Sequence, residues 1–226
     1  MDSKDGLNEL KQLLTLSENS TNENIKNNFK DVAIFLFEKC AIKKGNEYYL
    51  FTDIEFYFYN KNHKDIITHP RKCDAMQWYV NDFGGIDLTY KSNIEYEPVT
   101  KNKVTNLKPI LTENSYFGGI LIRGLKKENS DKEEDNLNKP LACAELFRTH
   151  DATGLLNDFP VLVVHPTERT IPNSIERKNI KGKKGPEAKV NYIMSAYSSA
   201  YITEKELCKE FDKFVKEKYR YTENEK

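Results

Sequence analysis

Two carboxylates in the stretch LFTDIEFYFY, residues 50–59, sit where a carboxylate is costly. The run is aromatic, branched and alternating, which is the pattern of a β-strand with one face in a core. An acidic group inside such a strand must be paired, hydrogen-bonded or put to use. Alternation sets Leu50, Thr52, Ile54, Phe56 and Phe58 on one face and Phe51, Asp53, Glu55, Tyr57 and Tyr59 on the other. Two readings of the acidic, aromatic face are open. It is either the wet side of an antiparallel sheet, or a pocket in which Glu55 acts as a general base tuned by low polarity and by its neighbours. The rings could then sandwich a planar base or a sugar. Asp53 is a candidate hydrogen-bonding support for Glu55. His69, in ITHPRK, brings a group that titrates near neutrality, with Pro70 restricting the backbone beside it. It reads either as a structural histidine or as part of the same site.

Other chemistry is missing from the sequence. There is no GxSxG elbow, no Walker loop and no GxGxxG after a strand. Cys40, Cys73, Cys143 and Cys208 lie far apart, without a CxxC pair or a Cys/His pair at zinc-ligand spacing, so neither a metal nor a cofactor is expected. They read as reduced thiols. Thirty-five basic and thirty-five acidic residues cancel, so a nucleic-acid partner would have to be met by a local patch. One such tract is RKNIKGKK, residues 177–184, which offers Arg177, Lys178, Lys181, Lys183 and Lys184 either to phosphates or simply to solvent. With no signal-like start and no apolar run of the ~20 residues that span a bilayer, the expectation is a cytoplasmic protein without a membrane partner.

The elements that must position these groups follow from patterning. Leu7, Leu10, Leu13 and Leu14 predict a short amphipathic helix, and the polar SENSTNENIKNN after it reads as a loop. NFKDVAIFLFEKCAI predicts helix running into strand, and residues 40–59 a strand hairpin turned at GNEY. QWYVNDFGGIDLTYKS predicts two strands bent at Gly84 and Gly85, GGILIRGL a central strand, PLACAELF a helix, and FPVLVVH and VNYIMSAY further strands. In TEKELCKEFDKFVKEK, Thr203 and Glu206 have capping-box spacing ahead of the apolar stripe Leu207, Phe211, Phe214 and Val215, a terminal helix. The sum is a single α+β domain with a curved, mainly antiparallel sheet and peripheral helices. A length of 226 residues fits one domain, since domains commonly reach ~200–250 residues before splitting.

Taken in order, four motifs resemble the alkyladenine (methylpurine, or DNA-3-methyladenine) DNA glycosylase family. DIEFY (53–57) is similar to that family's E-T-E-A-Y strand, DIITH (65–69) to its D-x-x-x-H loop, WYVNDFGG (78–85) to Y-V-Y-x-x-Y-G, and ILIRGL (120–125) to V-L-L-R-A-L. The similarity covers roughly residues 30–200, leaving the first and last helices as additions. It implies a glycosylase-like fold, akin to the formyltransferase C-terminal domain, over 29–200, with 1–28 as helix and linker and 201–226 as a packed helix. It also implies metal-independent hydrolysis of the N-glycosidic bond of an alkylated or deaminated purine flipped out of duplex DNA by a monomer, nucleoid-associated in a bacterium. By position, Glu55 falls on the water-activating glutamate. Tyr57 and His69 fall on base-pocket residues, Tyr79 or Val80 on the opposite stacking aromatic, and Arg123 on a strand arginine near the DNA backbone. Alternative expectations are a module that binds a nucleobase or nucleic acid without hydrolysis, or a glycosylase acting on modified foreign DNA.

Overall fold

Helix α1 (Ser3–Leu13), the turn residue Leu14 after it and helix α2 (Asn22–Lys39) lay Leu10, Leu14, Ile25, Phe29, Val32, Ala33 and Leu36 against one face of a sheet, all of them buried. The computed structural model describes residues 3–81, 84–101, 104–148, 159–168, 172–177 and 204–223. Helix α2 starts inside the polar stretch that the sequence suggested was loop. The Thr21 hydroxyl accepts from the Asn24 backbone N–H at 3.2 Å, and the Asn24 side chain accepts from the Thr21 N–H at 3.2 Å. This is a capping box with asparagine in the place usually taken by Glu or Gln. Polar composition there marks a helix start as well as a connection.

Without a break, α2 passes into β1 (Cys40–Lys44), which turns at Gly45, φ +58°, into the long strand β2 (Glu47–Asn60). The expected helix–strand junction and hairpin are both present. Short β3 (His63–Lys64), β4 (Trp78–Val80) and β5 (Ile86–Thr89) follow, with the predicted bend between β4 and β5. Next come β6 (Glu95–Lys101) and β7 (Val104–Ile110), a separate two-stranded hairpin that patterning did not anticipate. β8 (Phe117–Lys127) is the central strand, and β9 (Asn136–Leu137), α3 (Pro140–Glu145), β10 (Val161–Val164), β11 (Asn173–Ile175), α4 (Glu204–Val215) and β12 (Arg220–Thr222) complete the described elements. The main sheet runs β10–β1–β2–β8–β5–β4, and all its pairings among the described residues are antiparallel. The class is α+β. The expected strand VNYIMSAY and the cap at Thr203 lie outside the described residues.

The core fills the space between α1, α2 and the sheet face that carries Ile54, Phe56, Phe58, Leu88, Ile120 and Ile122. Phe29 stacks on Phe56 with ring centroids 4.7 Å apart. Truncating either to Ala removes about 3–5 kcal/mol. Strict alternation assigned Phe51 to the acidic face, and the structure corrects this. The pairing of β2 with β8 shifts register on both sides of Asp53, a bulge that turns Phe51 into the core and leaves Leu50 and Thr52 half-buried. Gly124 permits the bulge, since a Cβ there would lie 2.5 Å from Thr52 Oγ1.

The C-terminal segment is more than a helix packed on the outside. β12 pairs with β2 in the register Arg220↔Glu55, Tyr221↔Ile54 and Thr222↔Asp53, and with β11 on its other side. Leu10 of α1 and Leu14 just after it belong to the same core as β2 and β8. The divisions expected near residues 28 and 200 are therefore not boundaries between separate cores.

Candidate active site on the polar face of the sheet

Opposite the core, the sheet presents a layer of buried charge. Glu55 on β2 and Asp87 on β5 both pair in register with Leu121 of β8, and Tyr79 of β4 pairs with Asp87. Residues opposite one another in a ladder point to the same side, so Glu55, Leu121, Asp87 and Tyr79 form one row across four strands. Tyr57, Gly119 and Thr89 form the next row. The acidic face of β2 is thus not wet: Glu55 is 0% exposed.

Glu55 is held at both oxygens. The Tyr57 hydroxyl donates to Oε1, and Arg123 Nη1 lies 3.3 Å from Oε2. Burial first, and the Glu55 charge second, push the Tyr57 phenol well above its ordinary range, so it remains a proton donor. Arg123 also approaches Asp53, Nε to Oδ2 at 3.8 Å. From β12, Arg220 closes a fork on Asp53 with Nε–Oδ1 at 2.8 Å and Nη2–Oδ2 at 2.7 Å. The hydrogen bond to Asp53 raises the Arg220 pKa further. On the other side of Tyr57, Arg177 lies between two rings, its guanidinium carbon 4.7 Å from the Tyr57 centroid and 4.8 Å from that of Tyr219. Its Nη1 donates to Asp65 Oδ1 at 3.0 Å, and its Nη2 donates to Asp65 Oδ2 and, at 2.8 Å, to the Phe56 carbonyl. Burial works against the Arg177 charge, but Asp65 outweighs it and keeps the pKa above the usual arginine value.

A second group lies two strands away. Arg71 Nη1 donates to Asp87 Oδ2 at 2.5 Å, and Asn81 Nδ2 donates to Asp87 Oδ1 at 3.1 Å. The Arg71 guanidinium rests on the Tyr79 ring at 4.6 Å and occupies the space over Gly119, where a Cβ would lie 3.1 Å from Nη2. Four guanidiniums and four carboxylates therefore share this layer: Arg71, Arg123, Arg177 and Arg220 with Asp53, Glu55, Asp65 and Asp87. The balance is what makes it tolerable, because an unpaired buried charge costs several kcal/mol. The choice of cation is selective. The chain has six arginines beside twenty-nine lysines, and four of the six are here. A planar guanidinium can hold a carboxylate through two parallel bonds and lie on a ring, which an ammonium cannot.

The structure brings Asp53, Glu55, Tyr57 and Arg123 together and sets Tyr79 at the far end of the Glu55 row. Val80 is exposed on the edge strand, so Tyr79 is the aromatic on the site face. His69 is half-buried in the loop between β3 and β4 that also carries Asp65 and Arg71. Two expectations are corrected. Arg177 does not belong to a solvated basic tract, because Asp65 and the two tyrosines bury it. Arg123, placed near a DNA backbone by resemblance, is 7% exposed and engaged with carboxylates. Lys178, Lys181, Lys183 and Lys184 lie outside the described residues. Arg71, Asp87 and Arg220 were missed. Asp87 in GIDLTY carries the same signal as Glu55, an acid in an otherwise apolar strand, and the scarcity of arginine pointed to its partners.

No protein-family model and no solved structure matches the chain. Among curated proteins it is similar to "Uncharacterized protein L759" of Acanthamoeba polyphaga mimivirus, 28% identical over 152 residues, which is 63% of this chain and 69% of that protein. Among the described residues, no helix is long and apolar enough to cross a membrane.

Proposed function

We propose that this chain is a DNA N-glycosylase-like hydrolase acting on a damaged or modified purine, with Glu55 as the residue that activates water. The observation that supports this reading is the setting of Glu55, a fully buried carboxylate whose two oxygens are fixed by different partners, Tyr57 and Arg123. A carboxylate oxygen has two lone pairs, so an oxygen that accepts from one partner can also accept from water. In the reaction, water oxygen bonds to C1′ of the sugar as the C1′–N bond breaks and its electron pair leaves with the base. Glu55 takes one water proton. An alkylated, cationic purine is neutralised by that electron pair, whereas an uncharged purine must first be protonated. The Glu55 charge also stabilises the positive character that develops on the sugar, an effect strengthened where water is excluded.

On this reading Tyr57 and Tyr79 wall the base, His69 belongs to the loop beside it, and Asp53 acts on Glu55 through Arg123. The partner is DNA with the purine turned out of the stack, met by the chain as a monomer. Phosphates fall to Lys178, Lys181, Lys183 and Lys184, the tract that follows Arg177. Release of free base from duplexes carrying methylated purines or hypoxanthine tests the activity. The wild type should release base, and Glu55→Gln should lose about 10²–10⁴-fold, the usual worth of a general base.

A second reading is a module that holds a base or nucleic acid without hydrolysis. It is favoured by the completeness of the layer, in which Asp53, Glu55, Asp65 and Asp87 all have partners already. If wild type and Glu55→Gln are equally inactive on the whole lesion panel yet bind the strand and leave it intact to alkali, this second reading replaces the first.

A further inference from the structure

We infer that a cleft on the helix side of β12 is a site for a small sugar phosphate, with Lys216 and Lys218 on the phosphate and Glu217 on the sugar hydroxyls. The inference goes beyond the proposed function and does not rest on it.

The cleft has a volume of about 450 Å³ and opens between the first turns of α2, β11 and the connection from α4 to β12, residues 216–219. Sites for small molecules span ~300–1,000 Å³, so there is room for more than a bare phosphate. Its inner wall is made of core side chains. Tyr221 meets Phe56 edge-on with ring centroids 5.4 Å apart, and Tyr219 meets Phe29 in the same way at 5.0 Å. Arg220, between them in the chain, turns the other way and forks onto Asp53. The cleft and the charged layer of Glu55 therefore lie on different sides of β12.

The charged groups of the cleft can be reached from solvent. Lys26, Lys216 and Lys218 set against Glu217 leave a surplus of two positive charges. Lys26 Nζ donates to both Glu217 oxygens, at 3.1 and 3.0 Å, and the two side chains are 41% and 24% exposed. Lys216 and Lys218 are exposed, and among the described residues no carboxylate pairs with either. Ser174 Oγ donates to the Lys218 carbonyl at 2.6 Å, which holds the connection against β11 and fixes the point from which Lys218 reaches out.

Charge and hydrogen-bonding capacity together select the ligand. A phosphate monoester carries about −1.5 to −2 at pH 7, which matches the surplus, whereas each phosphate of a nucleic-acid strand carries a single charge. Lysine meets phosphate as a point charge. With Lys26 in place, each Glu217 oxygen keeps a lone pair that can only accept. A second anion cannot use those lone pairs, but a hydroxyl can, so the ligand has a phosphate at one end and hydroxyls at the other.

Titration of the full chain with ribose 5-phosphate, followed through backbone amide shifts, tests the inference, with ribose, inorganic phosphate and a short DNA duplex as comparison probes. Ribose 5-phosphate should bind saturably, move the signals of residues 26, 174 and 216–219, and bind at least about tenfold more tightly than ribose or inorganic phosphate, the worth of one or two hydrogen bonds. Changing Lys216→Gln and Lys218→Gln together should weaken it at least about tenfold with the unfolding midpoint retained, because both side chains are exposed. Glu217→Gln removes an opposing charge and an acceptor, so it should tighten inorganic phosphate and narrow the gap between it and ribose 5-phosphate. Equal binding of those two by the wild type means an adventitious ion only and overturns the site. No binding, or unchanged affinity in the double lysine variant, overturns it as well. So does displacement of ribose 5-phosphate by the duplex with the same amides moved, which would make the cleft a contact for the DNA backbone. An unchanged gap in Glu217→Gln overturns the sugar assignment.

Discussion

Arg123 Nη1 lies 3.3 Å from Glu55 Oε2, and the same guanidinium reaches Asp53, so one cation neutralises two acids on the bulged strand. Replacing it with Met takes away the cation that faces Glu55 and leaves the Tyr57 phenol on the other oxygen, a change expected to cost about 3–5 kcal/mol. Adding Glu55→Gln removes the charge that Arg123 faced, so the double variant should regain part of that loss. Denaturant unfolding of the wild type, both single variants and the double variant gives the coupling. Strict additivity of the two changes would mean that the pair does not interact.

His63 provides a stability switch in mild acid. Its ring is buried against Phe29, Phe214 and Tyr219, with Nδ1 2.5 Å from Asn22 Oδ1 and Nε2 unpartnered. Burial first, then the charges of Arg177, Lys213 and Lys26, drive its pKa well below 6.5. A histidine depressed in the fold stays neutral there while the unfolded chain takes up a proton. Its stability contribution is therefore complete above pH 6.5 and is lost as pH falls through that value towards the folded pKa, by about 1.4 kcal/mol per pH unit. Unfolding free energies between about pH 7 and pH 5 should fall in the wild type and flatten in His63→Gln. Parallel slopes in the two proteins would remove His63 as the cause.

The adjacent glycines of β8 should respond differently to a methyl group. At Gly118 a Cβ would stand 2.5 Å from the Tyr57 carbonyl oxygen, a backbone atom that cannot give way, whereas at Gly119 its nearest neighbour is Arg71 Nη2 at 3.1 Å. Gly118→Ala is expected to lower the unfolding midpoint more than Gly119→Ala. The latter should instead shift the Arg71 guanidinium resonances. Equal losses of stability would contradict the placement of Arg71 over Gly119.

For the basic tract, replacing Lys181, Lys183 and Lys184 with Gln should weaken DNA binding on every sequence tried and reduce the slope of log K against log salt by about 1 for each phosphate that is no longer neutralised. A slope unaltered by all three changes would show that these lysines meet solvent alone.

Periodicity was enough to find the core side of the sheet, because Ile54, Phe56 and Phe58 keep phase with one another. It failed at Phe51, where the bulge at Asp53 resets the phase, since such an irregularity depends on Gly124 of another strand. Glu55 and Tyr57 could be paired from a spacing of two. Their cations could not, because Arg71, Arg123, Arg177 and Arg220 arrive from a loop, from β8, from the segment just past β11 and from β12, and no local pattern joins those places. β12 itself has only three residues, too short for alternation to register.

The pairing of β12 with β2 also fixes an order in time. Strand β2 and its acids emerge early in synthesis, but Arg220 forks onto Asp53, and the Arg220↔Glu55 pairing forms, only once the chain has grown 167 residues past Asp53. During that interval β2 has an open edge and its acid pair is short of one cation, so a nascent chain halted before residue 220 carries most of the core and an unfinished site. Assembly of the charged layer thus reports that translation has passed that residue.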